Sequence, residues 1–158
     1  MGFQIYATVV GSKQGAFKGE GIGPGKADKI PAVAFSYGVV EPYDAATGRI
    51  TGRRQHKPVV LTKEWGASSP QFFQAAYTNE VLKSVLLEFY TVERDGKEAV
   101  DHTVKLTNAT IVSVDDAEED KTPPDTNERE RISFVFQKIE IESLSGKTSA
   151  MDDWSAQV

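Results

Sequence analysis

The side chains that most often carry enzyme chemistry are few and scattered in this sequence. Its two histidines, His56 and His102, lie in different segments, and neither has a partner at a metal-ligand spacing. His102 follows Asp101 on a predicted strand, where neighbouring side chains point to opposite faces, so we expect it to face solvent or a partner. Cysteine is absent, and no serine lies in a Gly-x-Ser-x-Gly elbow. The sequence therefore predicts no catalytic residue, no metal and no cofactor.

The carboxylates form a run rather than a paired site. General acid–base pairs need surroundings that separate two pKa values, usually through partial burial, and a calcium loop needs alternating ligands around a glycine. The acidic run has neither pattern, so we expect it to remain solvated. It consists of Asp115, Asp116, Glu118, Glu119 and Asp120.

Basic side chains are concentrated in one glycine-containing loop. Its three arginines and one lysine give this loop a local charge of +4, whereas the acidic run has a local charge of −5. Both loops are either ordinary solvated surface or complementary surfaces at opposite ends of the subunit, which would attract when copies stack. The residues of the basic loop are Arg49, Arg53, Arg54, His56 and Lys57.

Composition indicates one soluble globular domain. The chain has 158 residues, of which 39% are apolar and 26% charged. A net charge of −5 argues against nucleic-acid binding, which needs a basic surface. No apolar run approaches the length of about 18 residues that a membrane helix needs. The N-terminus lacks signal-peptide features, so we expect folding in the cytoplasm and, for a secreted protein, export without a cleavable signal.

Period-two alternation predicts a mainly β protein, because alternate side chains of a strand share a face. The loop at 41–56 contains three glycine or proline breaks, which favour an irregular connection. The predicted strands cover residues 3–9, 29–40, 59–65, 81–92, 99–106, 109–114 and 131–141.

The last predicted strand changes its apolar parity. A regular strand cannot keep even-numbered and odd-numbered residues on one face, so the pattern predicts a bulge or bend near Gln137–Lys138. Such a device lets a sheet curl into a barrel. The even-numbered apolar residues are Ile132, Phe134 and Phe136, and the odd-numbered ones are Ile139 and Ile141.

One helix is predicted, from Pro70 to Thr78. Ser68 or Ser69 can cap it, and Gln71 stands three residues after Ser68 as in a capping box. We expect the apolar residues at helical spacing to pack on the sheet. These are Phe72, Phe73, Ala76 and Tyr77.

The block from Thr47 to Tyr90 carries a family resemblance. It contains a Gly-Arg loop from Thr47 to Lys57, an apolar strand that ends in Lys63-Glu64, an Ala-Ser-Ser-Pro helix start and a strand that contains a glutamate. In this order and spacing the chain resembles the haemolysin co-regulated protein (Hcp) family, the tube-forming subunits of type VI secretion systems. Shorter matches extend the resemblance over residues 3–142, at 18–20, 35–39, 105–109 and 132–134.

The resemblance implies a β-barrel of two antiparallel sheets with one short flanking α-helix and an extended loop. It implies hexameric rings that stack head to tail into a hollow tube, which is secreted and carries small effector proteins. The implied partners are further copies of the chain, the sheath and spike of the machine, and the effectors, with no nucleic acid and no membrane insertion. The loop with Arg49, Arg53 and Arg54 corresponds to the family's extended loop that reaches a neighbouring ring. Residues 1–144 would form the barrel, and the tail at 145–158 would be flexible or docked on a neighbour.

Three alternatives stay open on the sequence alone. A phage-type tail tube protein of another contractile particle has a similar subunit fold. A carbohydrate-binding β-sandwich would need exposed aromatics along one groove, whereas Trp65, Tyr77, Tyr90 and Trp154 are scattered over different elements. A hydrolase derived from the tube fold would need a nucleophile motif that the sequence lacks.

Overall fold

The computed structural model describes residues 3–21, 25–117 and 128–154 as a barrel-like antiparallel β structure with one flanking helix. None of the helical structure in these residues is long and apolar enough to cross a membrane. The elements are β1 Gln4–Gly11, β2 Gly15–Ala16, β3 Ile30–Ala32, β4 Ala34–Ser36, β5 Val39–Val40, β6 Gln55–His56, β7 Val59–Glu64, α1 Ser69–Thr78, β8 Leu82–Val92, β9 Glu98–Ala117, β10 Arg129–Ser143 and β11 Thr148–Asp153.

One segment brings the two ends of the main sheet together. The sheet has nine strands in the order β2-β1-β8-β9-β10-β7-β4, with β3 on β1 and β11 on β10. Residues 30–32 pair with β1, and residues 34–36 pair with β7 at the other end of this order. The predicted strand 29–40 is therefore wrong in its continuity, because the chain changes partner at Val33, whose N–H bonds to Thr62 O at 2.7 Å. The predicted mainly β, barrel-like fold is confirmed.

The core is the inner face of this curled sheet. Alternate residues of β1, β7 and β8 are buried, as the period-two pattern predicts. The largest apolar side chains that are fully enclosed come from most of the long elements. They are Ile30, Leu61, Phe72, Leu82, Leu87, Leu106, Ile132 and Phe134.

Strands β9 and β10 form a long hairpin that changes face once. The predicted strands 99–106 and 109–114 are one strand, β9, in which Asn108 adopts a left-handed φ of 51°. On β10 the buried residues are even-numbered up to Phe136 and odd-numbered from Ile139. On β9 they are even-numbered up to Leu106 and odd-numbered from Ala109, so the two paired strands change their buried face at the same point of the hairpin. The irregularity expected at Gln137–Lys138 is present, with the Asn108 amide donating to Gln137 Oε1 at 2.9 Å. The shift in strand register lies elsewhere, between Ser133 and Phe134.

The helix forms where the sequence predicts it, but with different contacts at its start. Ser68 is the N-cap residue without a capping side-chain bond, and its N–H donates to Glu20 Oε1 at 2.7 Å. Gln71 instead accepts a bond from Lys18 N, so the predicted capping box is wrong. The face on the sheet contains Phe72 and Ala75, three residues apart. Tyr77 lies off this stripe and is 75% exposed, contrary to the prediction.

The described part of the C-terminal tail belongs to the sheet. Residues 148–153 form β11 and pair with residues 138–143 of β10. This pairing extends the barrel beyond the boundary predicted at residue 144.

Candidate assembly interface

The basic loop is an arm with hairpin pairing at its base and near its tip. Strand β5 pairs with β6 at the base, and Tyr43 pairs with Ile50 further out. The turn is closed by bonds from Gly48 N to Asp44 O at 2.7 Å and from Asp44 N to Arg49 O at 2.8 Å. Residues 41–54 contain no helix or strand, as their glycines and prolines predict, and the isolated Tyr43–Ile50 pair and the turn give this connection its hairpin form. We call residues 41–54 the extended loop.

Apolar side chains on and beside the extended loop face solvent. Tyr43 and Ile50 are exposed at the paired positions near the tip, and Val39 and Val40 are exposed at the base. A large apolar group gains about 1.5–3 kcal/mol when it leaves water. An arm that presents several such groups is suited to packing against another surface.

The basic residues of the loop divide into two groups. Arg49, Arg53 and Lys57 are exposed, and the described residues offer their side chains no salt bridge. Arg54 instead forms a two-pronged ion pair with Asp152 of β11, with Nε and Nη2 at 2.7 and 2.5 Å from the carboxylate oxygens. Only the first group is available to a partner without breaking a contact inside the subunit.

His56 fastens the base of the extended loop to the C-terminal strand. Its Nε2 lies 2.5 Å from Asp152 Oδ2, and its Nδ1 lies 2.7 Å from the Tyr37 hydroxyl. The ring is buried and meets Phe136 and Trp154 edge-on. The Arg54 guanidinium, and then the His56 imidazole, hold the pKa of Asp152 well below its usual range. We call Arg54, His56 and Asp152 the Asp152 clamp.

The acidic run begins at the end of the barrel opposite to the extended loop. Strand β7 begins at Val59, beside the base of that loop, and ends at Glu64, which pairs with Arg129 of β10. Arg129 also pairs with Ala117, the last residue of β9. The two sites are therefore separated by the length of β7, which is about 20 Å for six residues. Asp115 and Asp116 lie near the end of β9, just before its final residue Ala117, whereas Glu118, Glu119 and Asp120 lie outside the described residues.

A buried charge cluster underlies the acidic end. Lys63 is fully buried, with Nζ 3.6 Å from Glu20, 3.7 Å from Glu130 and 3.1 Å from Ser69 Oγ. Burial raises the pKa of the Glu130 carboxyl, which is fully enclosed. Burial and the neighbouring Glu128 raise the pKa of Asp116 as well. One lysine thus faces several carboxylates at the end of the barrel where the acidic run begins.

The second histidine takes part in packing and not in a reactive group. His102 stacks on Phe89 at 4.2 Å and meets Phe3 edge-on. Its Nδ1 lies 2.8 Å from Asp101, although neighbouring strand residues should point apart. The register of β8 against β9 shifts at Asp101, and this bulge turns both side chains to the same side. The ring that we expected to face solvent or a partner is therefore half-buried, with 29% of its side-chain surface still exposed.

The described residues contain no other arrangement that suggests a reactive or metal-binding centre. They include no group of three or more His, Cys, Asp or Glu side chains able to hold a metal ion. The aromatics considered for a sugar groove are separated, since Trp154 packs on His56, Tyr90 packs on Tyr6 and Tyr77 lies on α1. The extended loop and the acidic end are the candidate sites that remain.

Comparison with known proteins identifies close structural relatives. Residues 6–142 match the family described as "Type VI secretion system effector, Hcp". The chain is 30% identical to the "Major exported protein" of Pseudomonas aeruginosa, with 100% of this chain and 99% of the relative covered. Similar solved structures include an Hcp protein (26% identity, TM-score 0.89, 96% and 99% of the two chains) and Hcp1 from the E. coli EAEC 042 pathovar (28%, 0.85, 96% and 98%). Hcp3 of Pseudomonas aeruginosa is similar as well (26%, 0.81, 96% and 98%).

Proposed function

This chain belongs to the Hcp family of type VI secretion proteins, and from that premise we propose that it closes into hexameric rings that stack head to tail into a hollow tube. The observation that carries the proposal is the placement of an exposed basic, apolar arm and an acidic surface at opposite ends of β7. A contact between unlike surfaces of identical subunits repeats along an axis and builds a filament.

The proposed tube works mechanically. It is enclosed by the sheath, capped by the spike and expelled from the cell, and it carries small effector proteins in its lumen. We infer that the subunit is not an enzyme, since delivery of this kind requires assembly and strength. We also propose that the subunit folds in the cytoplasm of the producing cell before the tube is exported, and the export alone is supported by the name "Major exported protein" of the Pseudomonas aeruginosa relative.

The family match favours the type VI machine over a phage-type tail tube. The carbohydrate-binding alternative has little support, because the aromatic side chains that it would need lie in separate surroundings.

Charge reversal in the extended loop tests the role of the loop. We expect Arg49→Glu/Arg53→Glu to abolish ring stacking while single rings remain, because the introduced glutamates would repel the acidic end of the next ring. Arg54 is left unchanged, since a glutamate there would face Asp152 inside the subunit. Negative-stain electron microscopy distinguishes stacks from single rings.

The matched control reverses two exposed cations elsewhere. Arg94→Glu/Lys97→Glu changes the net charge equally in the turn after β8 and should leave stacks intact. Loss of the rings themselves in the loop variant would show that the loop has been assigned to the wrong contact.

A further inference from the structure

A groove of about 500 Å³ lies at the acidic end of the barrel. Trp65 and Val33 supply its apolar surface, and they are 51% and 48% exposed. Pro31 and Ala67 complete the apolar lining, and Glu20 and Glu64 lie at its polar side. We call this surface the Trp65 groove.

The protein holds Trp65 at the surface by its backbone. The Trp65 N–H donates to Glu128 O at 3.0 Å, which ties the residue to the chain entering β10. Two residues earlier, Lys63 is buried, and Leu61 and Val59 share its inward face. The indole is thus presented to solvent by a rigid strand end, an arrangement that suits a contact with another molecule.

The surroundings of the Trp65 groove carry excess negative charge. Glu20 and Glu130 flank Lys63, Asp116 interacts with Glu128, and Glu64 is opposite Arg129 in the ladder. The carboxylates that line the groove itself are Glu20 and Glu64, and its described lining residues include no lysine or arginine. The complementary partner is one that offers both cations and apolar side chains.

We propose that the Trp65 groove receives the tip of the extended loop from a second copy of this chain. Tyr43 or Ile50 then packs on Trp65 and Val33, and Arg49 or Arg53 meets the carboxylates at the rim. An arginine next to an exposed indole also gains a cation–π contact. The inference rests on the proposed function, because it assigns the receiving surface for the stacking contact.

The strand connections give this contact its direction. The chain leaves the groove at Val33, follows β4 to the extended loop, and returns along β7 to Trp65. Loop and groove thus lie at the two ends of one antiparallel strand pair. Moving one copy along these strands brings its loop to the groove of the next, which is a head-to-tail contact.

Disulfide trapping tests the contact directly, because the natural chain has no cysteine. Ile50→Cys and Ala67→Cys are prepared as separate variants, mixed as full-length proteins and oxidised. Within one copy, positions 50 and 67 lie near opposite ends of β7 and are too far apart for a disulfide, which requires Cα atoms about 4.4–6.8 Å apart. A link between these two positions therefore joins two copies. We expect mass spectrometry of the digest to find the linked peptide that joins position 50 of one copy to position 67 of another.

The control and the outcomes separate this inference from the proposed function. Ile50→Cys mixed with Thr78→Cys, an exposed position on α1, should give no linked peptide. Rings or stacks without the 50–67 link would overturn the groove and leave the proposed function in place. A protein that forms neither rings nor the link would contradict both.

Substitution of the indole gives a second readout that does not depend on cysteines. Trp65→Ala should raise the concentration at which rings stack by at least about tenfold, since aromatic residues at the centre of an interface carry much of its energy. Trp65→Phe should retain most of the stacking, because it keeps an aromatic face. Unchanged stacking of Trp65→Ala rings would contradict the proposal.

Discussion

At the residue scale, the Asp152 clamp decides how the extended loop leaves the barrel. It joins residues that are 96 and 98 positions apart, through the contacts of Asp152 with His56 and Arg54. The charge of Arg54 and His56, together with the family resemblance, predicts that both belong to the stacking loop. Their contact with an aspartate of the tail was not predictable, because nothing local in the sequence relates the two segments.

Asp152→Asn should destabilise the fold by about 1–3 kcal/mol at neutral pH, because the buried His56 ring loses a charged partner, as does the partly exposed Arg54. The folded pKa of Asp152 lies below its ordinary 3.8, so its contribution is fully present above that pH and is lost as the pH falls. Urea unfolding at pH 7 and pH 3 measures the difference between wild type and variant, which should shrink at pH 3.

The control for this variant is Asp28→Asn, at an exposed aspartate, which should change the unfolding free energy little. An equal loss of stability for Asp152→Asn at both pH values would contradict the assigned role of the clamp.

Lys63→Met should cost about 3 kcal/mol or more at pH 8, because Glu130 would remain charged and buried without its cation. The raised pKa of Glu130 means that its burial weakens stability as the pH rises. The cost should therefore be smaller at pH 5, where the carboxyl is closer to neutral. Exposed Lys83→Met is the matched control, and a cost that does not depend on pH would count against this cluster.

At the element scale, the strands were predictable wherever one face is buried. Alternation placed β1, β7, β8 and β10 correctly within a few residues, because burial of one face imposes a period of two. The split between β3 and β4 was missed, since the alternation continues through Val33 while the pairing partner changes. The predicted capping box is wrong because Ser68 donates to the carboxylate of Glu20, a residue far away in the sequence.

The change of face in the β9–β10 hairpin depends on Asn108, whose φ is 51°. Asn108→Val should destabilise the protein by about 1–2 kcal/mol, because a branched side chain is strained in this conformation. Asn108→Gly should be nearly neutral, since glycine adopts it without a steric penalty. Thermal unfolding compares the two with Lys105→Val, an exposed site of the same strand, and equal melting temperatures for the two Asn108 variants would contradict the account.

At the scale of the whole molecule, the arrangement of charge gives the subunit a direction. The sequence shows a basic loop and an acidic run but not where they lie, because charge alone does not place loops on a fold. The connections of β4 and β7 put the extended loop at one end and the carboxylates at the other. The apolar residues of the loop and of the Trp65 groove could be recognised as contact residues only from their exposure in the structure.

Rings should stack less as salt is added. The Debye length falls from about 10 Å at 0.1 M salt to about 3 Å at 1 M, which screens exposed charges across the contact. Stacks counted by electron microscopy should shorten over this range while single rings persist. Rings that dissociate before the stacks shorten would place the charged contact within the ring instead.

The central claim is that identical copies of this chain close into a ring. Native mass spectrometry of the purified full-length protein, with negative-stain images of the same sample, measures this most directly. We expect a hexamer in the mass spectrum and annular particles in the images. A protein that remains monomeric at high concentration would contradict it.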